Sequence, residues 1–519
     1  MMLTRMRLNF LPRLFNHCSG WKRHAAFGLM LASLLMSSLT WGQDVLRIGS
    51  KRFTESYILA QILAQTAAPH ATVQVLPGLG NTAIVYAALR AGSIDAYPEY
   101  VGTIAQEILK DPQAVSLQTM RDQLKPLGLG VAIPFGFNDG YALAMRADTA
   151  SKLGIGTLAD LARHPELRLG LSNEFIGRAD GWSGLAKRYG LPQQPLGLDH
   201  GLAYDAVTKA RVDVIDIYTT DAKIQHLGLR VLVDDAAYFP RYDAVVLYRL
   251  DLPQRFPAAW AAMQRLAGSI DERAMIAMNA QAELQGQDFA VIAREHLAGT
   301  HSDNKTPPNF WSKLFGPDLL RLTLQHLNLV LSSVGLAVLF GVPLAVLVAP
   351  HAGLRAVVLG ACGVLQTVPS LALLALLISW LDRIGSVPAL LALTLYALLP
   401  IMRNTCTGLA QVPAGLSQAG MALGLTHPQC LRLIELPLSF PSIIAGIRTA
   451  TSISVGTATI AAFIGAGGYG ERIVTGLALN DKQLLLAGAL PAAGLALLFE
   501  GMFGAFGMFG NIRRRKQRH

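Results

Sequence analysis

The chain has 519 residues, room for two or more domains, and 52% of them are hydrophobic, with a mean hydropathy of +0.38, too apolar for an ordinary soluble protein. Its net charge of +10 does not point to nucleic acid, because much of it lies in the leader (Arg5, Arg7, Arg13, Lys22, Arg23) and the tail (Arg513, Arg514, Arg515, Lys516, Arg518), where basic groups beside apolar helices read as topology signals. The four cysteines, at 18, 362, 406 and 430, lie outside the soluble stretch, which therefore has no disulfide, and none has metal-ligand spacing.

A basic lead is followed by an apolar run from Ala25 to Thr40 and then by small residues before Gln43, so residues 1–42 read as a secretory signal peptide or an uncleaved anchor. Either sends residues 44–300 across the membrane. That region opens with a strand over 45–49, a helix over 55–66, a strand over 72–76, the turn Pro77-Gly78-Leu79-Gly80-Asn81-Thr82 and a helix over 83–91. This is α/β grammar. Further strands are expected near 94–97, 129–133, 141–146, 168–171, 212–217, 229–233 and 242–249, with helices over 158–162 and 204–210 and a mainly helical end at 253–298. The length suits two α/β lobes with a cleft, joined near 141–146 and 242–249.

Residues 301–317 read as a linker, with a short interfacial helix over 313–319. Residues 318–510 then hold five apolar stretches long enough for a bilayer: 322–349, 355–380, 386–402, 443–465 and 484–508. Prolines 343, 369, 388, 400 and 491 fall within or beside them, as is common in transporters. Five spans starting outside place both the polar loop 403–442 and the basic tail 511–519 in the cytoplasm, while Asp382 and Arg383, Glu471 and Arg472, and Asp481 and Lys482 balance the charge of the outer loops.

Enzyme chemistry has little support. There is no Gly-x-x-x-x-Gly-Lys-Ser/Thr, no zinc-spaced His pair and no nucleophile elbow, so no catalytic residue, metal or bound cofactor is assigned, and ATP use falls to another chain. The soluble region instead places Tyr97, Tyr100, Tyr141, Tyr218 and Tyr242 where strands meet loops, the ligand-binding edge of open α/β sheets. Lys51 and Arg178 have comparable positions. Ring faces attract a quaternary ammonium and cations hold a carboxylate, so the set suits a zwitterion; a tyrosine at a strand end is also ordinary packing.

Gln418-Ala419-Gly420, Gly424 and Ile434-x-Leu436-Pro437 resemble the "EAA" coupling loop of ABC importer permeases, with Gln418 where the family has Glu and Gly420 where it has Ala. The stretches GSKRFTESYILAQIL, LPGLGNTAIVYAALRAGSIDAYPEYVGT, FGFNDGYALAMR, VIDIYTTDA and YFPRYDAVVL resemble the binding proteins of glycine betaine/choline/carnitine ABC importers, and QTVPSLALLALLI, ALLPIMRNTCTGL and AGIRTATSISVGTATIAAFIGAGGYG resemble their permeases. The resemblance covers roughly residues 44–510. It implies a two-lobed periplasmic-binding-protein (type II) domain followed by an all-α transmembrane permease domain. It also implies an aromatic cage of Tyr100, Tyr141, Tyr218 and Tyr242, and carboxylate-binding groups Lys51, Thr103 and Arg178. Thr103 stands where choline-restricted relatives can carry an acid, which leans toward a carboxylate-bearing ligand; ergothioneine is an alternative. The implied partners are a cytoplasmic ATPase subunit, a quaternary amine, membrane lipid and a second copy of the permease as a homodimer, with no nucleic acid. The implied location is the bacterial inner membrane with the binding domain outside, and the implied role is osmoprotection. A solute receptor without transport is the rival reading.

Overall fold

The computed structural model describes residues 44–114, 116–300, 309–381 and 383–516; the leader assignment over 1–42, most of the expected linker and the last residues of the tail lie outside them. Two five-stranded sheets build the first part. One contains β1 (Leu46–Gly49), β2 (Val73–Leu76), β3 (Ala96–Tyr100), β4 (Leu129–Ala132) and β10 (Ala244–Arg249), in the order β2-β1-β3-β10-β4. The other contains β5 (Tyr141–Arg146), β6 (Leu169–Ser172), β7 (Leu196–Leu198), β8 (Val214–Tyr218) and β9 (Leu229–Val231), in the order β7-β6-β8-β5-β9. Each sheet is parallel except for one strand, β10 in the first and β5 in the second, and each of these returns the chain from the other lobe.

The crossings therefore lie just before those strands, at 133–140 and 232–243, rather than within them as the sequence suggested. An isolated antiparallel bridge between Asn138 and Asp243 ties the two crossings together. Around β1 the helix α1 (Thr54–Ala67) is almost entirely buried. The turn after β2 leads into α2 (Thr82–Arg90), whose first turn is capped by Asn81 accepting from the Ile84 amide. Gly78 in that turn has φ +63 and lies against the Tyr57 hydroxyl, which leaves no room for a side chain. Short α3 (His200–Thr208) follows β7, a strand that the sequence reading missed because Leu196-Gly197-Leu198 is short and largely exposed.

The second part is helical: α4 (Leu319–Val348), α5 (Ala352–Thr367), α6 (Ser370–Leu381), α7 (Ser386–Ala410), α8 (Ala414–Ala422), α9 (Leu436–Ala458), α10 (Gly470–Ala478) and α11 (Lys482–Lys516). The expected straight span over 355–380 is instead the pair α5 and α6, bent by 101°. The cause is Pro369, which disfavours helix at the residue before it; Val368 is extended, at φ −64 and ψ 127. Among the described residues four helices are long and apolar enough to cross a membrane, and the bent pair makes five. Arg355 of α5 donates to the Ala349 carbonyl at the far end of α4, while Ile384, just after α6, donates to Ser93 Oγ beside β3. The pair thus starts at one end of the bundle and finishes at the other, and makes one pass.

Pro400 stays inside α7. It leaves the Tyr396 carbonyl without its usual helical donor, and the Gln366 amide supplies one at 3.2 Å. The loop expected over 403–442 is mostly helical: α7 runs on to Ala410 and α9 begins at Leu436. Helix continues from His427 through α9, and Pro437, which lacks an amide donor, is accommodated where the ladder widens into the π-helical turn Leu431–Glu435 just before it. The helix expected at 313–319 spans Phe310–Leu314, with Trp311 and Phe315 exposed and stacked at 6.1 Å. The charges expected in the outer loops pair with the start of α4 and the helix before it: Glu471 with Arg321, Arg472 with Asp318 and Asp481 with Lys313.

Candidate binding cleft and coupling segment

Strand ends bring the tyrosines together. Tyr141 opens β5 and Tyr218 closes β8, and the antiparallel register sets them directly opposite, with ring centroids 5.1 Å apart. Tyr242 precedes β10, held by its amide donating to Asn138 Oδ1 at 2.7 Å, and meets Tyr141 edge-on at 5.6 Å. Tyr100 closes β3 on the other lobe. Phe53 bridges the lobes, 6.1 Å from Tyr100 and 5.2 Å from Tyr218.

These rings line a narrow cleft with Lys51, Thr103, Asp139 and Glu174. Every residue expected from the sequence reaches its lining except Arg178. That guanidinium stands one layer back, 3.4 Å from Thr103 Oγ1 and 5.2 Å from the Tyr141 ring. All seven expected residues are buried, whereas Tyr97 lies in the core below. Phe53, Asp139 and Glu174 were missed, although Phe53 sits in the same quoted motif as Lys51, Asp139 in that of Tyr141, and Glu174 four residues before Arg178.

The two cations already have partners. Lys51 Nζ lies 2.5 Å from Glu99 Oε1 and 4.9 Å from the Tyr100 ring centroid. Arg178 makes two 2.7 Å hydrogen bonds to Asp180. On the opposite wall, Tyr100 donates its phenol to Glu55 at 2.5 Å, and Thr220 Oγ1 lies 2.6 Å from Glu55 and 2.8 Å from Asp139. A hydroxyl has one proton, so it cannot donate to both carboxylates. Burial pushes the Glu55 carboxyl up to about 7 and Asp139 well above its usual range, and the neighbouring charge adds to each, so the pair retains a proton that satisfies the second contact.

Behind Tyr218, the His200 ring lies 4.5 Å away and contacts Asp221 at 3.1 Å. Burial alone would lower the pKa of this imidazole, but Asp221 and Asp216 outweigh it and hold it at about 10, a cation at neutral pH. Asp221 also accepts from the Tyr218 amide at 2.9 Å, which fixes that strand end. The result is a pocket of converging ring faces with acidic groups at the walls, chemistry suited to a cation that cannot donate hydrogen bonds.

At the other end of the bundle, the segment between α7 and α9 borders a cleft of about 1360 Å³ lined by Arg355, Gln418, His427, Pro428 and Glu435 among others. Ser417 donates to Glu435 at 2.9 Å, linking α8 to the π-helical turn. Ala419 and Gly420 lie on α8, and Gly420 is packed so closely that a Cβ there would sit 2.7 Å from Ile434 Cδ1 and 3.2 Å from Cys430 Sγ. This explains glycine where the motif expects alanine: Ile434 fills the space. Gly424 has φ +89 with nothing near its missing side chain, while Leu436 and Pro437 open α9.

Residues 44–299 match the model for the substrate binding domain of ABC-type glycine betaine transport systems, and residues 337–507 match that for the binding-protein-dependent transport system inner membrane component. The osmoprotectant import permease protein OsmW of Salmonella typhimurium is 46% identical over 186 residues, 35% of this chain and 86% of that protein. The choline transport system permease protein OpuBB of Bacillus subtilis is 42% identical over 185 residues, 36% and 85% respectively. The ergothioneine transport permease/ergothioneine binding protein EgtU of Helicobacter pylori is 31% identical over 306 residues, 56% of this chain and 55% of that protein.

Proposed function

Because the chain belongs to the binding-protein-dependent transport system inner membrane family, with a substrate binding domain of the glycine betaine transport type ahead of the permease, we propose that it is the fused receptor and permease of an ABC importer for a quaternary-ammonium compatible solute. The observation that carries this reading is the convergence of Tyr100, Tyr141, Tyr218, Tyr242 and Phe53 on one cleft. The ring faces hold the trimethylammonium group, and Lys51 and Thr103 meet a carboxylate where the solute has one, with Arg178 contributing positive charge from behind Thr103. Glycine betaine, carnitine and choline fit this class, and osmoprotection is the role.

The binding domain, residues 44–300, faces the outside. The permease, residues 318–510, pairs with a second copy to form the pore. The cytoplasmic ATPase is a separate subunit that engages Gln418, Ala419, Gly420, Gly424, Ile434, Leu436 and Pro437. Two features support this arrangement: the binding lobes and the 411–435 segment contact opposite ends of the helical bundle, and three membrane-capable passes, α4, the α5–α6 pair and α7, separate them along the chain, the odd number that opposite sides require. Tethering keeps the receptor near the pore at about millimolar effective concentration.

The test is ATP-dependent uptake of labelled glycine betaine, choline, carnitine and ergothioneine by proteoliposomes holding the chain and its ATPase subunit. Uptake of one or more of the first three is expected. Preference for ergothioneine would move the assignment to the chemistry named for the Helicobacter relative. Binding without uptake would make the chain a membrane-bound receptor.

A further inference from the structure

One stretch of the permease touches both lobes of the binding cleft. On the first lobe, the Phe463 ring faces Arg52, whose Cζ lies 4.4 Å from the ring centroid. Two residues on, Gly465 takes a φ of +74 and packs directly against Leu79 in the turn after β2. On the second lobe, Gly201 at the start of α3 abuts the end of α10: a Cβ on Gly201 would lie 2.6 Å from the Ala478 carbonyl oxygen and 3.0 Å from that of Leu477.

The contact points stand one residue or one ring from the cage. Arg52 lies between Lys51 and Phe53 in the chain. Its Nε is buried without a hydrogen-bond partner, so the Phe463 face is a principal contact of that guanidinium. Gly201 follows His200, which packs on Tyr218. Between the two contacts lies a small space bounded by Arg52, His200, Gly201 and Ala478; Phe53, Asp139 and Tyr218 face both it and the cage.

Arg52 and Gly201 belong to different lobes, so the distance between them is set by how far the cleft is closed. A helical segment that meets both at once fits one degree of closure. We infer that residues 460–480 are the permease's sensor of cleft closure, Phe463 reading the first lobe and Ala478 the second. Opening the cleft withdraws one contact and closing it restores both. Differential affinity for the closed form is what lets solute binding shift the state of the permease. The inference rests on the transport reading given above.

The experiment uses the full chain with its ATPase subunit in proteoliposomes, comparing wild type with Gly201→Val and Phe463→Ala, neither of which lines the cage. Gly201 is not in the left-handed region, so the backbone accepts a side chain, whose Cβ runs first into the Ala478 and Leu477 carbonyls. Calorimetry on the solubilised chain is expected to show each variant's affinity for glycine betaine or choline lowered by no more than the coupling factor itself, about tenfold, because the linkage is reciprocal. Solute-stimulated ATP hydrolysis and uptake are expected to fall about tenfold or more, the scale of a typical coupling energy. If wild type neither binds nor moves a quaternary amine, the transport reading itself fails. If wild type transports and both variants match it, the sensor assignment alone fails. If uptake by both variants returns to the wild-type rate once solute is saturating, the assignment is also overturned, since the contacts would then serve the cage alone.

Discussion

Arg178 grips Asp180 through Nε and Nη2, two hydrogen bonds of 2.7 Å each, with both side chains buried. The Tyr242 phenol donates to the same carboxylate at 2.6 Å, so one acidic group orients both a cage ring and a cation. A guanidinium has five N–H donors, and Asp180 takes two of them. The positive field that a ligand carboxylate would feel is reduced by the same partner.

Asp180→Asn therefore separates ligands by charge. The amide keeps an acceptor for Tyr242 but removes the negative charge from Arg178. The affinity ratio of glycine betaine to choline is expected to rise about tenfold, the range for a hydrogen bond to a charged group. Calorimetry with the two ligands reads the ratio directly. A ratio that does not move would remove Arg178 from the carboxylate-binding set.

Tyr218→Ala removes a ring that faces the cleft and packs on Phe53, Tyr141 and His200. One cation–π contact contributes about 0.5 to 2 kcal/mol, roughly 2- to 30-fold in Kd. Loss of the supporting ring contacts adds to this. Tyr218→Phe keeps the face and is expected to retain most of the affinity. Unchanged binding of every quaternary amine by the alanine variant would refute the cage.

The Glu55–Thr220–Asp139 cluster predicts a pH effect of definite sign. Burial raises Glu55 from an ordinary 4.5 to about 7, and Asp139 is raised as well. A carboxyl raised on folding holds its proton in the folded chain after the unfolded chain has released it. Its contribution to stability is full below the unfolded pKa and is lost as pH rises through the folded one. Wild type is thus expected to melt at a higher temperature relative to Glu55→Gln at pH 5 than at pH 8. Thermal melts of both proteins across that interval measure the difference. A difference that stays flat, or grows with pH, contradicts the shared proton.

Much of this arrangement was readable from residue order, for identifiable reasons. Tyr141 and Tyr218 could be placed because each marks a strand end, and the ends of strands in one sheet converge. Lys51 could be placed because it follows β1. What could not be read is pairing across long separations. Nothing in the spacing of Glu99 or Asp180 shows that they occupy the very cations assigned to the ligand. Asp139 was overlooked because an acid in a turn usually faces water, and here Thr220, 81 residues on, covers it. In the membrane half, hydropathy located the apolar stretches but not the right-angle bend, because a window average of residues 355–380 does not register the backbone restriction that Pro369 imposes on Val368. The proposed coupling segment was recognised as polar and Pro-rich, yet Pro428 falls in the first turn of a helix, Pro437 follows a widened turn and Pro441 is carried inside α9, so it forms helices rather than a loop.

Gly424 offers a test of that segment that leaves the rest of the molecule alone. It joins α8 to the short helix His427–Cys430, with φ +89 and no atom within 4 Å of where its Cβ would be. The Cβ of an arginine there meets nothing, and the left-handed backbone adds strain of about 1–2 kcal/mol. Its long cationic side chain would project from the face beside Leu423, which is 86% exposed, toward whatever docks there. Gly424→Arg is expected to bind solute as wild type does in the solubilised chain and to lose ATP-driven uptake in proteoliposomes with the ATPase subunit. Gly424→Ala, which carries most of the backbone strain without the projecting charge, is expected to retain most of the uptake. If the arginine variant transports at the wild-type rate, the ATPase does not dock on this segment. If alanine and arginine are equally inactive, the glycine is needed for the turn itself and not for the open face beside it.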